Sequence, residues 1–133
     1  MPSISKALRQ QVFIRAKNCC EYCKTQQLLI GMPLIIDHVI PISADGKNEF
    51  ENLAAACYRC NEFKGPRVSA IDPLSSKAVP LFNPRSQGWS EHFAWAEEGV
   101  YITGKTATGR ATVAALRLNN KYVTESRKIW IAE

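Results

Sequence analysis

The sequence predicts an α+β fold: a strand–strand–helix unit stapled by four cysteines, with a mixed α/β C-terminal extension packed on it. Three observations predict it. Two C-x-x-C pairs, Cys20/Cys23 and Cys57/Cys60, have the spacing that brings four thiols to one point. Two short apolar runs lie between or beside those pairs. Residues 67–133 then mix strand-like and helix-like patterns. At 133 residues the chain has the size of one domain, so 1–133 is read as a single domain. Its core is expected over residues 5–66 and the extension over 67–133.

The elements follow in order. Leu8, Val12, Phe13 and Ala16 fall at helical spacing, and Ser3 or Ser5 can cap the start, so residues 5–17 read as an amphipathic helix. Leu34 to Ile40 is a β-branched run closed by Pro41, a strand. Ser43 to Asn48, with Asp45-Gly46, is a turn or loop. Asn52 to Cys57 is a second short strand despite its three alanines, and a helix starts near Arg59–Asn61 until Gly65-Pro66 cuts or bends it. Residues 67–90 are rich in Ser and Pro and read as irregular. Glu91 to Glu98 reads as a short helix, Val100 to Thr106 as a strand, and 109–119 as a helix capped by Thr108. Tyr122 to Ile131 fits helix or strand.

Composition is that of an ordinary globular chain, 46% hydrophobic and 22% charged. No apolar run approaches the roughly 20 residues of a membrane span. Met1 to Lys17 mixes charge with apolar residues and lacks the core of a secretory signal, so a cytoplasmic location without a membrane partner is expected. The formal charge is +5 and the isoelectric point about 9.1. The excess is spread: 8 basic against 6 acidic residues in 1–66, and 9 against 6 in 67–133. A basic balance favours a polyanionic partner through counterion release, although many basic proteins never meet nucleic acid.

In a reducing compartment, two identical C-x-x-C pairs read as a structural Zn2+ site before disulfides. Buried core cysteines or a redox pair are the alternatives. The 33 residues between Cys23 and Cys57 exceed the usual spacing. That costs little, about 0.6 kcal/mol per doubling of the loop, against roughly 10 kcal/mol from structural zinc. A closed four-thiolate site has no open position and cannot itself be catalytic. Cys19 is left over as an ordinary thiol.

Asp37 and His38 are polar residues set in the apolar run Leu34-Ile35-Ile36 to Val39-Ile40, where burial alone would not place them. With Asn52, Asn61 and Lys64 they form a candidate site. The ordered segments Cys20-Glu21-Tyr22-Cys23, Ile36-Asp37-His38-Val39-Ile40-Pro41, Glu51-Asn52-Leu53 and Cys57-Tyr58-Arg59-Cys60-Asn61-Glu62-Phe63-Lys64-Gly65 resemble the HNH endonucleases with a zinc clip. The resemblance spans residues 9–66. It implies a ββα-metal fold, in which two antiparallel strands and a helix surround a catalytic ion. It also implies His38 as general base, Asn52 as the residue orienting it, and Asp37 with Asn61 as ligands of the ion. Asn61 stands where the family's last motif position is commonly His, an H-N-N version. Carboxylate and amide oxygens are hard ligands, which suits Mg2+ or Mn2+.

The residue chemistry runs the same way. Phosphodiester hydrolysis needs water activated near neutral pH and charge neutralised on the phosphate, tasks for an imidazole and a hard cation. Lys64, Arg59, Arg85 and Arg110 are candidates to meet substrate phosphates; salt bridges or solvated positions are the alternatives. Asn52 could instead be a turn residue and Asn61 a helix cap. Adjacent strand residues face opposite ways, so a distortion is expected at residues 37–38. In the extension, Trp89, Phe93, Trp95 and Trp130 read as core and His92 as structural. The expected activity is a metal-dependent endonuclease cutting DNA. A zinc-stapled DNA-binding module without cleavage, and a structural zinc domain joining proteins, are the competing readings.

Overall fold

The computed structural model describes residues 3–132; residues 1, 2 and 133, which the single-domain reading included, lie outside the described residues. The chain divides into two compact units. One holds the chain up to Val68 together with Asn83–Ser86; the other holds Ser69–Phe82 and the chain from Gln87 on.

The first unit opens with helix α1 (Lys6–Arg15). Ser5 caps it, its hydroxyl accepting from the Leu8 amide at 3.1 Å, a bond that contributes about 1 kcal/mol. The helix buries Val12 and ends where Lys17 and Asn18 take left-handed backbone angles. A single helical turn, α2 (Gln27–Ile30), follows the first cysteine pair. Strands β1 (Ile35–His38) and β2 (Leu53–Ala56) pair antiparallel, and helix α3 (Tyr58–Lys64) completes the ββα unit. All four residues of β2 are buried. Its alanines, which weaken its signal as a strand in sequence, leave no side-chain bulk on either face. Arg15 locks the entry to β2: its guanidinium donates to the carbonyls of Phe50 (2.7 Å) and Leu53 and lies over the Phe50 ring.

The loop from β1 to β2 carries short 3₁₀ turns at Ile42–Ala44 and Phe50–Asn52. It closes on itself at Gly46, where a Cβ would lie 1.7 Å from the Ile40 carbonyl oxygen. Helix α3 is capped by Cys57, whose sulfur accepts from the Cys60 amide, and stops at Gly65 (φ 55°), a conformation that glycine adopts without strain.

The second unit contains a hairpin, β3 (Ser69–Ile71) with β4 (Ala78–Pro80), then α4 (Trp89–His92) and a second hairpin, β5 (Phe93–Ala96) with β6 (Tyr101–Gly104). Helices α5 (Ala107–Ala115) and α6 (Lys121–Ala132) follow. Several expectations are corrected here. Residues 67–90 are not wholly irregular, because Asp72 organises a hairpin within them. The helix expected over Glu91–Glu98 ends at His92, since Phe93–Ala96 instead pairs with Tyr101–Gly104. The cap of α5 is Thr106 rather than Thr108, its hydroxyl accepting from the Gly109 amide at 3.0 Å, and this helix ends at Ala115 rather than residue 119. Tyr122–Ile131 is helical. Phe93 is core, but Trp95 is 45% exposed. Trp89 and Trp130 are half-buried. No described helix is long and apolar enough to cross a membrane.

Candidate active site

Two identical turns build the thiol cluster. In each, the second cysteine's amide points at the first one's sulfur: Cys23 N to Cys20 Sγ and Cys60 N to Cys57 Sγ, both 3.5 Å. The four sulfurs are buried and lie within 4.8 Å of one another. Burial pushes the Cys20 thiol well up, while bonds from the neighbouring thiols hold Cys23 well below its ordinary value. Four sulfurs so close cannot all ionise without a cation among them, and a soft tetrahedral set of this kind fits zinc. The cluster could therefore hold a metal ion such as zinc. Cys19 stays outside it, half-buried near the Lys17 carbonyl.

The first cysteine turn also joins β2. Glu21 donates its amide to the Ala55 carbonyl and accepts the Ala55 amide on Oε2. Its other oxygen pairs with Arg85. Arg85 is thus engaged by a carboxylate, the salt bridge that the sequence reading held open beside a phosphate contact.

A cleft of about 380 Å³ opens beside β1. Its lining includes Asp37, His38 and Asn61, so the structure brings together three residues singled out from sequence. The expected distortion at residues 37–38 is absent, because pairing runs in register from Ile35↔Ala56 to His38↔Leu53. Asp37 is buried and His38 half-exposed, as alternation requires. Both reach the cleft because the strand ends at His38.

Asp37 is only 3% exposed. Its Oδ2 accepts from the Tyr22 hydroxyl at 2.6 Å and its Oδ1 from the Lys64 ammonium at 3.3 Å. Burial raises this carboxyl above its ordinary value, opposed by the charge of Lys64 and by these hydrogen bonds. Lys64 is buried too and also donates to the carbonyls of His38 (3.0 Å) and Val39 (3.3 Å). It pins the end of β1 and is not placed to meet a phosphate. Asn52 likewise departs from its expected role. Its amide bridges Ile40 N and O (2.9 Å each) and Lys47 O (3.0 Å), so it clamps the loop rather than the imidazole. The residue facing His38 is Asn48, with Oδ1 at 2.5 Å from Nε2.

Sequence reasoning missed Asn48, one polar residue in a polar loop, and Tyr22, which reads as plain core inside its C-x-x-C turn. Arg59 is half-exposed on the first turn of α3. In the other unit, Arg110 forms a two-point pair with Asp72 at 2.9 and 3.0 Å. His92 meets the Thr106 hydroxyl at 2.6 Å.

Residues 20–67 match the family model described as HNH endonuclease. A stretch of 65 residues is 37% identical to the CRISPR-associated endonuclease Cas9 of Corynebacterium diphtheriae, covering 44% of this chain and 5% of that protein. The chain thus corresponds to a small fraction of that relative's length. No solved structure matches the chain. Residues 20–67, with their paired cysteine turns, are thus similar to an HNH endonuclease domain, and the buried four-thiol cluster is consistent with the zinc-clip type.

Proposed function

We propose that the chain is a metal-dependent endonuclease hydrolysing DNA phosphodiester bonds at the cleft beside β1. The observation that carries this is the gathering of Asp37, His38 and Asn61 around one open space in a segment of nuclease family. His38 is the general base. With the Asn48 amide oxygen facing Nε2, that nitrogen carries the ring proton, and Nδ1 is left with the lone pair that takes a proton from water. Asn48 holds the ring in that tautomer; Asn52 and Gly46 hold the loop that carries Asn48.

Asp37 and Asn61 offer hard oxygen donors that fit Mg2+ or Mn2+. When bound, such an ion supplies positive charge to the scissile phosphate and the leaving oxygen. Asn61 also lies one helical turn before Lys64, so α3 presents the amide to the cleft while its end is anchored to β1. The four thiols, as a structural zinc site, hold α3 and the first cysteine turn together. Arg59 is the surface cation on α3 that remains for a phosphate. The cytoplasm, where thiols stay reduced, is the compartment that suits this set.

One observation favours the competing reading, a DNA-binding module without cleavage: both Asp37 oxygens already have hydrogen-bond donors. Supercoiled plasmid incubated with Mg2+ or Mn2+ separates the two. Wild type is expected to nick, and His38→Ala to lose at least about a hundredfold in rate, the usual contribution of a positioned base. Binding without nicking by wild type would leave the DNA-binding module standing.

A further inference from the structure

The geometry points to Tyr22 as a positioning residue: it ties the first cysteine turn to the Asp37 carboxylate and sets that carboxylate's affinity for a divalent cation. This rests on the reading of Asp37 as a cation ligand. Tyr22 stands between Cys20 and Cys23 and is fully buried. Its backbone has no freedom to drift. Glu21 N bonds to Ala55 O (2.9 Å), Lys24 N to Cys20 O (2.9 Å), and Cys23 N points at the Cys20 sulfur (3.5 Å). The phenol is therefore aimed by the same turn that aims two of the thiols, and it ends on Asp37 Oδ2 at 2.6 Å.

Apolar burial alone would be served as well by phenylalanine, and a buried hydroxyl costs free energy unless it finds a partner. The partner here is Asp37, the acidic residue among the described residues that line the cleft. Tyr22 and Lys64 take one direction on each carboxylate oxygen. A carboxylate has about four acceptor directions, so two remain for a cation. A donor fixed in place holds the group both ionised and oriented. Its loss leaves Asp37 free to rotate within a buried site, which weakens cation binding without altering the base. Partners of this kind are generally worth about 10–100-fold in metal affinity.

The test compares the full chain with Tyr22→Phe. Shielding of the four cluster thiols from a thiol reagent, and the thermal midpoint, establish that the turn is intact. Mn2+ binding is then followed without DNA, by the disappearance of the free-ion spin-resonance signal. The expected result is roughly tenfold weaker binding in Tyr22→Phe. The Mn2+ concentration for half-maximal nicking shifts by the same factor, and the rate at saturating Mn2+ stays within about threefold. Adding Mn2+ to wild type is also expected to give a tyrosine ultraviolet difference signal that Tyr22→Phe lacks, since a cation drawing on the carboxylate weakens the phenol's bond to it.

Equal Mn2+ affinity in the two proteins overturns the inference and leaves the nuclease reading intact. Weaker binding in the variant, with no nicking by either protein, supports the inference and removes the nuclease reading. If Tyr22→Phe does not fold, wild type and Asp37→Asn decide by the difference signal. Its loss in Asp37→Asn supports the link, and an equal signal overturns it.

Discussion

At the scale of single residues, the loop between β1 and β2 divides two asparagines between two tasks, and substitution separates them. Asn48 faces the imidazole, so Asn48→Ala is expected to lower the nicking rate about 10–100-fold, an effect beyond any shift of its unfolding midpoint in urea. Asn52 serves the backbone of residues 40 and 47. Asn52→Ala is expected to cost about 1–3 kcal/mol of stability first, with activity falling only as the loop loosens. Gly46 marks the same loop from the steric side. A methyl there meets the Ile40 carbonyl oxygen at 1.7 Å and Asn52 Nδ2 at 2.9 Å. Gly46→Ala is therefore expected to destabilise by about 1–3 kcal/mol, read from the same urea midpoints. If Asn48→Ala cuts with the wild-type rate, the assignment of ring tautomer fails.

At the scale of elements, what was legible in sequence depended on whether the cause of an element lay inside it. Helix α1 carries its own cap and apolar spacing, and the Asp37-His38 pair stood out because β-branched neighbours surround it. Strands β3 (Ser-Ala-Ile) and β4 (Ala-Val-Pro) have three residues each and no alternation of apolar with polar residue types. Their hairpin is set by the Asp72 carboxylate. It accepts from Leu74 N (3.1 Å), Ser75 N (3.3 Å) and Ser75 Oγ (2.8 Å), and is gripped by Arg110 from a distant helix. β5 had the alternation of Phe93-Ala94-Trp95-Ala96, but only its partner β6 decides it against helix. Asn48 and Tyr22 were illegible for the same reason, since each matters through a residue ten or fifteen positions away. The Arg110 pair holds Asp72 well below the ordinary carboxylate range. A carboxyl depressed on folding contributes stability above its unfolded value, about 3.9, and loses it as pH falls through the folded value. The second unit is thus expected to lose stability progressively below about pH 4, with Asp72→Asn flattening that dependence in acid-titrated thermal midpoints. In the first unit, chelation of the zinc proposed for the four thiols is expected to abolish the cooperative transition, because structural zinc contributes on the order of 10 kcal/mol.

For the whole molecule, the count of charges overstates the surface available to DNA. Of the 17 basic residues, Arg15 is engaged with backbone carbonyls, Lys64, Arg85 and Arg110 with carboxylates, and Arg127 with Val100 O, Leu118 O and Asn119. A guanidinium held inside the fold releases no counterion when DNA binds, so it adds nothing to the salt dependence of binding. Arginines that look interchangeable in sequence should therefore separate by experiment. Arg59 is half-exposed on the first turn of α3. Arg59→Ala is expected to weaken binding to unrelated duplexes to a similar extent and to reduce the slope of log affinity against log salt by about 1. Arg85→Ala should leave that slope unchanged and instead destabilise the fold, because it strands the buried Glu21 carboxylate. The measurement is fluorescence anisotropy of a labelled duplex over a salt series, beside urea unfolding of the same two variants. A reduced slope in Arg85→Ala with wild-type stability would mean that the Glu21 pair opens in solution and that Arg85 reaches the phosphate after all.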